Sequence, residues 1–202
     1  LDGGQMTLGP HVMMWANAFL ARLDITQEFF ASWDDMRVLP RETITLSIRD
    51  GAEVVYIACR NGSRPLGFTF RTGMRLPSVY TATGKAMLST LPDEAVRRLL
   101  AGGGEAWPEP LTSMGPRSVD ELLAELADVR RRGYSVDKEG VREGMYCFGA
   151  PVFDSNGPAA VAGVAVSILS DEVDDALQER AGQAMLSLAR RLSERLGAAH
   201  RR

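Results

Sequence analysis

Two predicted hairpins constrain the fold of this chain more than any other feature. Over residues 43–49 apolar Ile44, Leu46 and Ile48 alternate with polar neighbours, Asp50-Gly51 supplies a turn, and residues 54–59 resume a β-rich run. That is the pattern of two antiparallel strands joined by a tight connection. It returns late in the chain, where strands over 145–153 and 159–169 flank an Asp154-Ser155-Asn156-Gly157 turn, with a shorter strand over 134–138 and another predicted over 66–70. Clustered hairpins exclude a doubly wound parallel sheet and give an α+β class: a mostly antiparallel sheet of about six strands with helices packed on it.

The helical segments follow from spacing and caps. Residues 10–38 read as helical, with Met13, Met14, Ala16, Ala18, Phe19, Leu20 and Leu23 followed by Phe29, Phe30, Trp33 and Met36, until Pro40 closes the segment. These side chains read as core packing, with a subunit contact as the functional alternative. After Gly73 and Pro77, Thr81-Ala82-Thr83-Gly84-Lys85 leads into Ala86-Met87-Leu88, a short helix opening near Thr83, and Pro92-Asp93-Glu94 starts another. Residues 102–117, rich in Gly and Pro, read as a loop. Ser118 and Glu121 form a capping box before a helix that ends at Arg130-Arg131-Arg132 and Gly133. A last helix over 171–196 carries Val173, Leu177, Ala181, Met185, Leu188, Leu192 and Leu196 as a nearly continuous apolar face. The expected organisation is a linker and helical segment over residues 1–40 and one folding unit over 41–202.

Composition narrows the chemistry. A chain of 202 residues buries a core without disulfide or metal, and Cys59 and Cys147 offer neither a disulfide framework nor metal-ligand spacing, which agrees with a reducing, cytoplasmic setting. No apolar run approaches the length of a membrane span, and no basic-then-apolar leader opens the chain, so no membrane partner is expected. A net charge of -3 gives no pull toward nucleic acid. The two histidines, His11 and His200, sit near the ends, which disfavours His-based hydrolase triads and His-ligated zinc; neither a metal nor a cofactor is expected. The Ala82-Thr83-Gly84-Lys85 stretch imitates the end of a phosphate loop, but Val79 stands where the first glycine belongs. What survives is a helix start whose free N–H groups attract an anion, against the plainer reading that Gly84 eases tight packing. Asp137 reads either as a solvated or capping acid at a strand end or as a polar group entering a pocket. Cys147 reads as a buried thiol, and Ser167 as a buried hydroxyl bonded to backbone. The arginine clusters read as solvated helix ends.

The order of these stretches resembles the effector-binding domain of the isocitrate-lyase-regulator (IclR) family of bacterial transcription factors. The matching pieces are Leu8-Gly9-Pro10, Asp50-Gly51-Ala52-Glu53-Val54-Val55-Tyr56, Gly73-Met74-Arg75-Leu76-Pro77 and Thr81-Ala82-Thr83-Gly84-Lys85-Ala86. They continue with Gly133-Tyr134-Ser135-Val136-Asp137-Lys138-Glu139, Gly144-Met145-Tyr146-Cys147, Ala150-Pro151-Val152-Phe153-Asp154 and Val166-Ser167-Ile168. The resemblance covers residues 6 to 197 and implies a GAF-like curved antiparallel sheet, with a small-molecule pocket between the sheet and the segment carrying Thr83-Gly84. It also implies a homodimer or tetramer, and a winged helix-turn-helix domain, absent from this sequence, through which alone DNA is contacted.

Carried over by position, the pocket takes the backbone amides of Ala82, Thr83 and Gly84, the side chains of Asp137 and Cys147, and the strand positions Ala165 and Ser167, with Leu76, Phe68 and Met145 as apolar walls. The helix start receives a ligand carboxylate, while Asp137 and Ser167 fix a hydroxyl or keto group. Alanine at 165 replaces a serine found in members that bind very small keto acids, Val79 replaces a frequent histidine, and Gly140 replaces the second acid of a usual pair. These departures favour an aromatic or branched acid over glyoxylate or pyruvate. The expected function is ligand sensing without catalysis. Two rivals are a GAF-like thiol enzyme using Cys147 or Cys59, and a pure oligomerisation module.

Overall fold

The structure is a computed structural model and describes residues 25–36, 38–64, 66, 68–101 and 107–198. Residues 10–24 of the helical segment expected over 10–38, the Leu8-Gly9-Pro10 match, His11 and His200 lie outside them.

The elements run α1 (Ile25–Met36), β1 (Thr43–Asp50), β2 (Glu53–Arg60), β3 (Arg75–Pro77), α2 (Ala82–Leu88), α3 (Asp93–Ala101), α4 (Val119–Arg132), β4 (Ser135–Lys138), β5 (Met145–Val152), β6 (Ala162–Leu169) and α5 (Asp175–Arg195), with a 3-10 turn at Ser170–Glu172. All six strands form one antiparallel sheet in the order β3-β2-β1-β6-β5-β4, so the first hairpin and the last lie side by side through β1 and β6. This is the antiparallel α+β sheet that the hairpins imply, in the curled, GAF-like form that the resemblance implies.

The first hairpin turns as the sequence predicts, with Gly51 at a φ of 61° and Asp50 opposite Glu53. One irregularity follows: between Leu46 and Ser47 the pairing on β2 advances by an extra residue, so that Ser47 faces Tyr56 and both Ile57 and Ala58 turn toward the same core.

The strand expected over 66–70 is not formed. The third strand is β3, three residues long, and the Asn61 side chain occupies both backbone groups of Phe70, donating to its carbonyl at 3.1 Å and accepting its N–H at 3.1 Å. A residue whose polar groups are held by a side chain has none left for a ladder. The turn expected at 154–157 sits within a longer connection over 153–161, where Asp154 Oδ1 accepts the Asn156 N–H at 2.8 Å.

Helix ends obey local chemistry. Ser118 accepts the Glu121 N–H at 3.2 Å, and the Glu121 carboxylate reaches back to the N–H of Arg117, one residue before the cap itself. Gly133 closes α4 at a φ of 87°, a conformation costly to any residue with a Cβ. The last helix starts four residues later than expected, capped by Asp174, because residues 170–172 form the 3-10 turn instead.

The sheet has two different faces. One presents Ile44, Leu46, Val136, Phe148, Ala150, Val152, Ala162, Val164, Val166 and Ile168 to a core closed by Met185, Leu188 and Leu192 of α5 and by Ile25, Phe29 and Trp33 of α1. The other is covered by α2 and the segment leading to β3, and it carries most of the buried polar side chains of the strands.

Candidate functional site

The register places one row of polar side chains across four strands. Thr43 faces Ser167, Ser167 faces Cys147, and Cys147 faces Asp137. Directly opposed residues share a face of a sheet, so all four project toward α2. The next row, Thr45, Ala165, Gly149 and Ser135, contains little bulk.

That lack of bulk seats the start of α2. A Cβ on Gly149 would meet the Ala82 carbonyl oxygen at 2.7 Å, and one on Gly163 would meet that of Thr83 at 2.8 Å. Ser135 Oγ fastens the contact by donating to the Ala82 carbonyl at 2.6 Å. Thr81 caps the helix by accepting the Gly84 N–H at 3.0 Å. A Cβ on Gly84 would collide with the Ser78 carbonyl at 2.2 Å, so its glycine serves the turn beneath it and its amide is already engaged. Of the three amides expected for an anion, those of Ala82 and Thr83 remain.

Asp137 is fully buried. Oδ1 accepts the Gly140 N–H at 3.0 Å and Oδ2 the Val141 N–H at 3.3 Å, while Lys85 Nζ lies 3.8 Å away. Burial outweighs these partners and raises its pKa from 3.8 to about 6. Gly140 is glycine for the same reason, since a Cβ there would meet Asp137 Oδ1 at 2.4 Å. Lys85, equally hidden, makes its closer ion pair with Glu125 of α4 at 2.7 Å, linking α2 to that helix. A cleft of about 300 Å³ lined by Lys85, Gly115, Glu125 and Asp137, among others, approaches this cluster from the side of α4.

Cys147 and Ser167 lie 3.2 Å apart, sulfur to oxygen. Burial first, and then the charge of Asp137, raises the thiol pKa far beyond its ordinary value, so Cys147 holds its proton. Cys59 is half-buried with its S–H donated to the Phe70 carbonyl at 3.4 Å. The surroundings of Cys147 therefore produce no thiolate nucleophile.

Apolar walls complete the region. Ala82, Met145, Cys147 and Ala165 belong to one buried cluster with Val54, Tyr56, Leu66, Phe70, Met87 and Val141, and half-buried Phe68 and Leu76 pack against it. The ten residues expected for the pocket therefore gather around this face, Gly84 as a structural support. Sequence reading passed over Tyr56, Lys85 and the strand hydroxyls Thr43, Thr45 and Ser47. The alternation of Thr43, Thr45 and Ser47 with apolar neighbours marks a strand and says nothing of its polar side, which is buried because α2 and its approach cover it. A separate groove of about 730 Å³ between α4 and α5, lined in part by Arg130, Phe153, Leu186 and Arg190, contains none of the expected residues.

A model of the bacterial transcriptional regulator IclR C-terminal family matches residues 17–194. The HTH-type transcriptional regulator XynR of Escherichia coli K12 is 30% identical over 195 residues, covering 95% of this chain and 76% of that protein. The HTH-type transcriptional regulator KdgR of Dickeya chrysanthemi is 30% identical over 178 residues, 88% of this chain and 57% of that one. Among solved structures, the Agobacterium tumefaciens repressor BlcR is 43% identical with a TM-score of 0.80, covering 99% of this chain and 78% of that one. The Thermotoga maritima IclR is 29% identical with a TM-score of 0.83, covering 94% and 75%.

Proposed function

We infer the function from one premise: the chain belongs to the bacterial transcriptional regulator IclR C-terminal family. Its relatives are transcriptional regulators, and the domain is regulatory, not catalytic. We propose that it binds a small organic acid on the α2 face of the sheet. The observation that carries this reading is the buried row Thr43, Ser167, Cys147 and Asp137, set opposite a face whose buried strand residues are apolar. A sheet that needed only stability would be aliphatic on both sides, since each buried polar group must be matched to avoid a cost of about 1–3 kcal/mol.

In the proposed complex the amides of Ala82 and Thr83 receive the carboxylate, Ser167 and Asp137 fix a hydroxyl or keto oxygen, and Met145, Phe68, Leu76 and Ala165 surround the carbon skeleton. Asp137 with a pKa near 6 is poised to donate as well as accept. Binding would shift the balance between arrangements of a homodimer or tetramer, and so alter DNA binding by a winged helix-turn-helix domain preceding this stretch in the whole regulator. Residues 1–40 would be the linker and helical segment, and 41–202 the sensing unit, working in the cytoplasm.

A thermal-shift screen of carboxylic acids tests the site. A ligand at a hundred times its Kd adds about 2.7 kcal/mol of apparent stability. The expected hits are branched or aromatic acids whose effect is lost in Asp137→Ala and Ser167→Ala variants that still fold. Hits that bind both variants with unchanged affinity would refute the assignment.

A further inference from the structure

Among the described residues, four buried side-chain atoms lack a hydrogen bond: Glu42 Oε2, Ser47 Oγ, Arg64 Nε and Thr83 Oγ1. Glu42 and Arg64 answer one another as an ion pair at 3.2 Å. The two hydroxyls have no such resolution, and they lie together. Ser47 stands opposite Gly163 across the β1–β6 pair. A Cβ on Gly163 would lie 3.0 Å from that of Thr83, so Thr83 rests on Gly163 with Ser47 on the adjoining strand, about 5 Å away.

Tyr56 completes the group. It stands opposite Ser47 on the other side of β1, and its hydroxyl comes close enough to Thr83 to interact with it, although Thr83 Oγ1 makes no hydrogen bond of ordinary geometry. All three residues are at most 2% exposed. Unpaired buried hydroxyls are costly, and finding two beside a third is unusual for a packed interior. Each both donates and accepts, and none carries charge, whereas the charged groups of this face, Asp137, Lys85 and Glu125, already engage one another. A charged guest placed among the hydroxyls would lack a counterion; a neutral oxygen would satisfy them.

We propose that Ser47, Tyr56 and Thr83 form an uncharged recognition point that holds a neutral hydroxyl or carbonyl oxygen of the ligand, and a water molecule when no ligand is bound. This rests on the reading that the α2 face binds the effector, and it deepens it by naming three uncharged hydroxyls, apart from Ser167 and Asp137, that hold the ligand's neutral oxygen.

Two measurements test it. A crystal structure of the chain without added acid is expected to show an ordered water bonded to Ser47 Oγ and Thr83 Oγ1; a dry contact with both hydroxyls unpaired overturns the proposal. Thermal-shift affinities are then compared for 3-hydroxy-3-methylbutanoate and 3,3-dimethylbutanoate, which match in shape and differ by one hydroxyl. The chain is expected to prefer the hydroxy acid by about tenfold, the equivalent of one hydrogen bond. Tyr56→Phe and Ser47→Ala erase that preference with little change for the dimethyl acid, and Thr83→Ser retains it. Equal affinity for the two acids, or a preference that survives both Tyr56→Phe and Ser47→Ala, overturns the proposal. Failure of both acids to bind while the water is present counts against the effector reading and leaves the hydroxyl point standing.

Discussion

Burial and charge compete most openly at Asp137. Its native pKa near 6 lies above the ordinary 3.8, so between these values the folded chain keeps a proton that the unfolded chain has released. Stability from this group is therefore present at low pH and is lost as pH rises through about 4 to 6, a change on the order of 2–3 kcal/mol. Urea midpoints measured at pH 4.5 and pH 7 are expected to show this decline in the parent chain, with a shallower decline in Asp137→Asn. The same low polarity governs Cys147, where the retained proton predicts that iodoacetamide at pH 8 labels half-buried Cys59 well before Cys147, as peptide mass mapping would read. Sequence reading gives Cys147 as a buried thiol in an apolar strand, but whether Asp137 is wet or buried depends on α2, whose docking no local pattern encodes.

At the scale of elements, α2 is short, and its position depends on what lies under it. Gly149 and Gly163 leave room for the Ala82 and Thr83 carbonyls, so Gly149→Ala and Gly163→Ala each are expected to push the helix off the sheet and cost about 1–3 kcal/mol in chemical denaturation. Both are also expected to weaken acid binding, because the two open amides move with the helix. The ends of α4 were legible as Ser118 and Gly133, since a cap is a contest among a few adjacent groups. The strand expected over 66–70 failed because Asn61, distant enough to escape a local window, claims the backbone of Phe70. Arg130 was taken for a solvated helix end, yet it donates to the Ser89 and Leu91 carbonyls and pairs with Asp93, tying α4 to the chain between α2 and α3.

For the whole molecule, the sheet divides two tasks between its sides. Leu188→Ala, on the aliphatic side, is expected to cost about 2–5 kcal/mol of stability with little effect on acid affinity in the folded fraction. Ser167→Ala is expected to do the reverse, and comparing unfolding midpoints with ligand-induced shifts separates the two. The architecture was legible because hairpin turns and apolar periodicity are written in consecutive residues. Of the polar row, Ser167, Cys147 and Asp137 were legible only through the family resemblance and Thr43 not at all, because the four come from separate strands and meet only once register is set. Among the described residues no helix is long and apolar enough to cross a membrane.

The extra residue in β2 has an effect of its own. Removing Ile57 would leave Tyr56 and Cys59 on their present side and Ala58 on the other, so the partition of side chains would survive. What would vanish is the local coiling of the ribbon that such an insertion produces. A shortened chain of this kind should therefore remain folded while its phenol ring swings away from the threonine it now approaches, making curvature, and not composition, the tuner of that contact.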